Sequence, residues 1–164
     1  MEQGATIYLV DELVSSVDLA IERFNSVLSK ALKSHFEIKV RKINEIETDI
    51  DIAIISTSSL VRAKVTQELL VNNKVQYIIF EKFLFQNRKD YSEIQNLLDK
   101  HSIKAWTNEW MCSTLAFQKI INWLDKGKGI EIVVTGNGFG LGCNAVHFID
   151  ILDSISNREV DFKK

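Results

Sequence analysis

Proline is missing altogether from the 164 residues, where about 5% would be ordinary. With many Ile, Lys and Asn, that marks a biased composition, and it bears on one motif below. Cysteine is scarce: Cys112 and Cys143 alone, far apart, form no metal or redox motif. They read as two reduced thiols of a cytoplasmic protein. Charge of one sign is lacking too. A net charge of −2 gives no electrostatic case for nucleic acid or an anionic membrane. No apolar run approaches the roughly 18–20 residues of a membrane span, and MEQGATIYLV has neither the basic start nor the apolar core of a signal peptide. Internal repeats and low-complexity tracts are absent as well.

What is there is ordinary in amount and regular in order. Apolar content is 46% and charged content 26%, within the globular range. Thr6–Val10 is a short apolar run that ends in Asp11. Ser15 with Asp18 suggests a capping box, and Val17, Ile21, Phe24, Val27, Leu28, Ala31 and Leu32 follow at helical spacing. Phe36–Val40 reads as a strand. Asp51–Ser56 is nearly continuous apolar strand, a pattern of burial on both faces in a parallel sheet. Leu60–Val71 reads as a helix capped from Ser58 or Ser59, Val75–Phe80 as a strand and Tyr91–Lys100 as a helix with Ile94, Leu97 and Leu98 inward. Ile103–Trp106 and Ile130–Thr135 read as strands. Thr114–Leu124, stopped near Gly127, and Asn144–Ile155 read as helices. Strands alternating with helices predict an α/β fold: a Rossmann-like, mostly parallel sheet with helices on both faces.

Four glycines alternate at 136, 138, 140 and 142. They miss the G-x-G-x-x-G register, and the 22 residues after Gly142 are too few for a mononucleotide unit of about 30 residues or more. Spacing thus favours a plain turn using glycine's freedom over a nucleotide loop.

Four stretches, in order, resemble one family. IDIAIISTSSLVRAKVTQELL is similar to the fourth strand and following helix of the glucose–fructose oxidoreductase and inositol dehydrogenase group (Gfo/Idh/MocA). YIIFEKFLF resembles its fifth strand ending in Glu-Lys-Pro. IKAWTNEWMCSTLAFQKI resembles the strand and crossover helix leading to the second domain, and GNGFGLGCNAVHFIDIL the loop and helix bearing the active-site histidine. The resemblance implies an NAD(P)-dependent oxidoreductase acting on a sugar or sugar-derived alcohol or ketone. It makes residues 1–107 a partial NAD(P)-binding Rossmann domain, and 108–164 the crossover helix and beginning of the substrate domain. IYLVDE becomes the second strand. The first strand and its glycine turn, which would sit centrally and grip the pyrophosphate, are not in this sequence. The chain alone is therefore expected to bind dinucleotide weakly or not at all. The second and fourth strands would pair directly, or another segment would fill the gap.

The resemblance makes the glycine loop a flexible approach that delivers His147 to an active-site cleft. It also implies site residues. Lys82 and His147 would be catalytic, bracketing the reacting C–O bond, because imidazole titrates in the range a hydroxyl's base requires. Asp11, Ser56, Thr57, Ser58, Glu81, Lys82 and Asn108 would hold the cofactor, with Asp11 tilting the choice towards NAD over NADP. Read as bare residues, each has a plainer role: Glu81–Lys82 a charged pair closing a strand, Ser56–Ser58 a helix cap, His147 a packed helix residue. Asp150 could orient the imidazole or point to solvent. Three positions depart from the family pattern. Phe83 stands in place of proline, Cys143 in place of an Asp one turn before His147, and Arg62, expected on the helix surface, in place of a histidine. Trp106 and Trp110 read as core or interface groups. The expected partners are a small sugar-like molecule and either further copies of the chain or a completing chain, the latter because an open sheet position favours association. The alternative function is a non-catalytic, truncated family member that serves as a fold fragment or interaction module.

Overall fold

The computed structural model describes residues 4–124, 131–138 and 140–156. Strand β1 (Ala5–Leu9) leads through helix α1 (Val14–Val27) and the single turn α2 (Lys30–Lys33) to β2 (Phe36–Val40). The two strands pair in parallel, from Ala5 opposite Phe36 to Leu9 opposite Val40. Strand β3 (Ile50–Ile55), helix α3 (Arg62–Asn72), β4 (Val75–Phe80), α4 (Arg88–His101) and β5 (Lys104–Thr107) follow. They build a second parallel sheet with β4 in the middle. Helices α5 (Leu115–Trp123) and α6 (Leu141–Ser156) complete the described chain. The α/β class with parallel sheets and flanking helices is as expected.

The direct pairing of β1 with β3 is not seen. Among the described residues β1 bonds to β2 alone, and β3 to β4 alone. Among the described residues no strand joins the two halves, so each keeps an open edge.

That break shows in burial. β3 was expected to be covered on both faces, yet of its residues only Ile55 is buried. Side chains alternate across a strand, and the ladder sets Ile52 beside Tyr77 and Ile54 beside Ile79, with Trp106 next along beside Ile79. On this face Ile52 is 57% exposed, Ile54 71% and Trp106 53%. The apolar pattern of β3 encodes a cover that the described chain does not supply. The opposite face is the core. There Ile55, Ile78 and Phe80 pack with Ala63, Leu69 and Leu70 of α3 and Ile94 and Leu98 of α4. A smaller cluster, Ile121 of α5 with Ile151 and Ile155 of α6, lies apart from it.

Helix ends follow local chemistry, not always as expected. No capping box starts α1; Leu13 donates its N–H to Asp11 Oδ1 at 2.8 Å, so the carboxylate two residues upstream organises the turn. The long helix expected through Leu32 breaks after Val27, and Ser29 caps α2. α3 begins later than predicted, because the carbonyl of Ser58, not its hydroxyl, receives the N–H groups of Val61 and Arg62. Helix α4 ends on Ser102 in the left-handed region (φ 54°), with Ile103 N–H bonded to the Leu98 carbonyl at 2.9 Å. Lys100 and His101 in its last turn complement the helix dipole. The stop near Gly127 lies outside the described residues; α5 ends at Trp123.

The strand expected over Ile130–Thr135 is not there. Residues 131–135 form no ladder, Val133 and Val134 are exposed, and Ile130 lies outside the described residues. Among the described residues no strand lies beside this run to form a ladder with its N–H and C=O groups. No described helix is long and apolar enough to cross a membrane.

Candidate functional site

The carboxyl ends of β4 and β5 lie side by side, with Phe80 paired to Thr107, and the chain leaves them as Glu81–Lys82 and Asn108–Glu109. Asn108 N–H reaches the Phe80 carbonyl at 2.7 Å. Its side-chain amide donates to Glu81 Oε1, also at 2.7 Å. Helix α6 closes over this end. Lys82 Nζ donates to the Cys143 carbonyl at 3.1 Å and to Asn144 Oδ1 at 3.0 Å, both in the helix's first turn. His147 stands one turn further on from Cys143, hence on the same face.

His147 is buried, 5% exposed. Its Nδ1 lies 2.6 Å from Glu109 Oε2, and the Trp110 ring stands edge-on at 6.4 Å. The imidazole's described carboxylate partner is thus Glu109 from the β5 exit, not Asp150 on its own helix. Asp150 instead lies beside the Cys112 thiol, whose pKa is raised chiefly by burial, with Ser154's hydrogen bond working the other way. Next to the pair is an open groove of about 340 Å³, walled by Phe83, Leu84, Glu109 and Asp150 among others.

Arg62 corrects an expectation. It is 2% exposed, not on the helix surface. Its guanidinium donates to the carbonyls of Phe83, Leu84 at 2.8 Å and Thr57. Burial lowers its pKa, while the Glu81 carboxylate pulls the other way. A planar fork of donors suits several carbonyls at once, and it ties the turn after Lys82 to the end of β3. The Lys82–Phe83 peptide is cis. Nothing in the sequence flagged Arg62 beyond its departure from the family pattern, and Glu109 drew no notice at all. Both are charged residues next to expected site positions, and only packing shows where they point.

Of the expected residues, the structure brings together Lys82 and His147 on α6, and Glu81 and Asn108 on each other. Thr57 contributes its carbonyl to Arg62, and its Oγ1 is buried without a partner. Ser56 and Ser58 are exposed at the end of β3. Asp11 is exposed at the end of β1, in the other sheet. Among the described residues no hydrogen bond joins Asp11, Ser56 or Ser58 to the Lys82–His147 group. Trp106 and Trp110 are both more than half exposed, so neither is a core residue. Among the described residues no cluster of His, Cys, Asp and Glu could hold a metal.

The glycine loop also resolves. Gly138 and Gly140 take φ of +70° and +63°, where a Cβ is strained, and the Gly140 carbonyl accepts the N–H groups of Cys143 and Asn144. Among the described residues 131–138 no strand leads into the loop, and the Lys82 ammonium sits at the helix's first turn. It is a turn that launches α6.

No protein-family model matches the sequence, and no curated protein matches it. The structure is similar to a crystal structure from Bacteroides fragilis NCTC 9343, described provisionally as an oxidoreductase, with a TM-score of 0.56 at 18% identity. The likeness covers 90% of this chain and 43% of that one. It establishes a shared fold, and the chain spans less than half the length of that neighbour.

Proposed function

We propose that the chain is part of an NAD(P)-dependent oxidoreductase of the Gfo/Idh/MocA type, acting on a sugar or sugar-derived alcohol or ketone. One observation carries the reading: Lys82 from β4 and His147 from α6, far apart in sequence, are drawn to the same end of the sheet. Ligands of open α/β sheets gather at that end. Lys82 would hold the substrate oxygen and the cofactor ribose, and His147 would take the hydroxyl proton. Nicotinamide, when bound, supplies the hydride acceptor. Glu81 and Asn108, bonded to each other, line the same end. Asp11, Ser56, Thr57 and Ser58 would be cofactor contacts where a central strand between β1 and β3 brings both ends around one ligand. The shared fold of the oxidoreductase-described neighbour supports this reading. The division at 107/108 is likewise ours, supported by buried clusters that fall on either side of it.

Calorimetric titration with NAD(H) and NADP(H) tests the cofactor part. We expect weak or no binding to the 164-residue chain; micromolar affinity would refute the missing-turn argument. In a protein that carries the completing strand, Lys82→Ala and His147→Ala should each reduce turnover on polyol substrates by about 10²–10⁴, with the cofactor still bound. Unchanged rates in both would remove the assignment.

The second reading, a non-catalytic interaction module, is favoured by the open edges of β1 and β3, by Cys143 and by Phe83. It predicts association with further copies or with a completing chain, and light scattering that shows a strict monomer would count against it.

A further inference from the structure

We infer that Glu109 is the positioning residue for His147, fixing the imidazole as its Nδ1–H tautomer and leaving Nε2 free to act as the proton acceptor. The inference rests on the reading of His147 as a base and deepens it.

The position one turn before His147, where a carboxylate would share its helix face, holds Cys143. A thiol lacks the paired acceptor oxygens with which a carboxylate would hold the imidazole. The chain supplies a carboxylate from another element. Glu109 follows β5 directly, held there by the Asn108 N–H bond to the Phe80 carbonyl, and its Oε2 reaches His147 Nδ1 at 2.6 Å. The His147 side chain is 7% exposed and that of Glu109 15%, so little water competes for the contact. An ionised carboxylate can only accept; the proton between the two therefore sits on Nδ1. A histidine whose Nδ1–H is bonded to a carboxylate is held in one orientation and one tautomer. Trp110, edge-on at 6.4 Å, limits rotation of the ring. Lys82 grips the turn of α6 that carries Cys143 and Asn144. The base and the cation are thus placed by one helix, while the carboxylate comes from the sheet.

The test reads the tautomer directly and needs neither substrate nor cofactor. The chain is labelled with ¹⁵N-histidine, and long-range proton–nitrogen spectra are recorded near neutral pH. His147 is distinguished from His35 and His101 by comparison with His147→Asn. We expect Nδ1–H to exceed Nε2–H by about tenfold, the ratio set by about 1.4 kcal/mol, and Glu109→Gln to abolish that excess while Glu109→Asp restores part of it. An Nε2–H form in the native chain, or an Nδ1–H excess unaltered in Glu109→Gln, overturns the inference. If Glu109→Gln fails to fold, the native tautomer alone decides. A wrong tautomer sinks the role of Glu109 and leaves the oxidoreductase reading standing. A right tautomer with no turnover in a completed protein does the reverse.

Discussion

Replacing Arg62 by methionine should destabilise the fold by about 3 kcal/mol. The guanidinium is almost wholly buried and serves the carbonyls of Thr57, Phe83 and Leu84. Hydrogen bonds to a charged group are worth roughly 1.5–3 kcal/mol each, so three give a gross loss of about 4.5–9. Two effects reduce it. Methionine removes the cost of burying a cation that has no described ion pair, and the turn after Lys82 is only half-buried, so water can reach some of the freed carbonyls. With a urea m-value of about 2 kcal/mol/M, the midpoint should fall by about 1.5 M. Burial lowers the guanidinium's pKa, but arginine stays charged over the accessible range, so the loss should be alike at pH 6 and pH 9. Arg62→Lys should recover less than half, because one ammonium cannot span three carbonyls in a plane. A midpoint shift below about 0.3 M for Arg62→Met would refute the argument, since the carbonyls would then be satisfied without it.

Ile78, fully buried at the centre of β4, should cost about 3 kcal/mol when cut to alanine, from lost burial plus the cavity left behind, measured by the same denaturation. Ile54→Lys should leave stability within about 0.5 kcal/mol, since the side chain is 71% exposed. It should nevertheless reduce any concentration-dependent association seen by light scattering; association left intact would show that this face is not used. Burial raises the Cys112 thiol pKa, so the folded chain holds that proton more tightly than the unfolded one. The resulting stabilisation is fully present below the ordinary thiol value of about 8.5 and is lost as pH climbs from there towards the folded value. The urea midpoint should therefore fall as pH rises above about 8.5, and fall less in Cys112→Ser; equal falls in both would contradict the assignment. Alkylation of Cys112 should lag behind that of free cysteine at pH 8, and an equal rate would contradict it equally.

Strand and helix order was legible because periodicity is local. VQYIIF has neighbours on both sides and becomes the middle strand, and the Ile94, Leu97 and Leu98 spacing becomes the buried face of α4. Where a prediction depended on a partner, it failed. Ile130–Thr135 had a strand's composition but no ladder to join. β3 had a buried strand's composition but no cover for Ile52 and Ile54. The serines near the starts of α1 and α3 had the right chemistry for caps, but Ser15 lies within α1, which starts earlier at Val14, and before α3 the Ser58 carbonyl takes the N–H groups of Val61 and Arg62.

Sequence alone determined the α/β class and the parallel arrangement, since apolar period is a property of the chain itself; Lys82 and His147 were singled out by the family resemblance. Only the tertiary structure decided what each charged side chain meets. Arg62 turns inward to three carbonyls, Glu109 takes the imidazole, and Lys82 clasps the first turn of α6. Apart from the Arg62 bond to Thr57, these contacts join residues 21 to 62 positions apart. Linear spacing carries no information about which side chain crosses such a distance; packing of the two cores sets it.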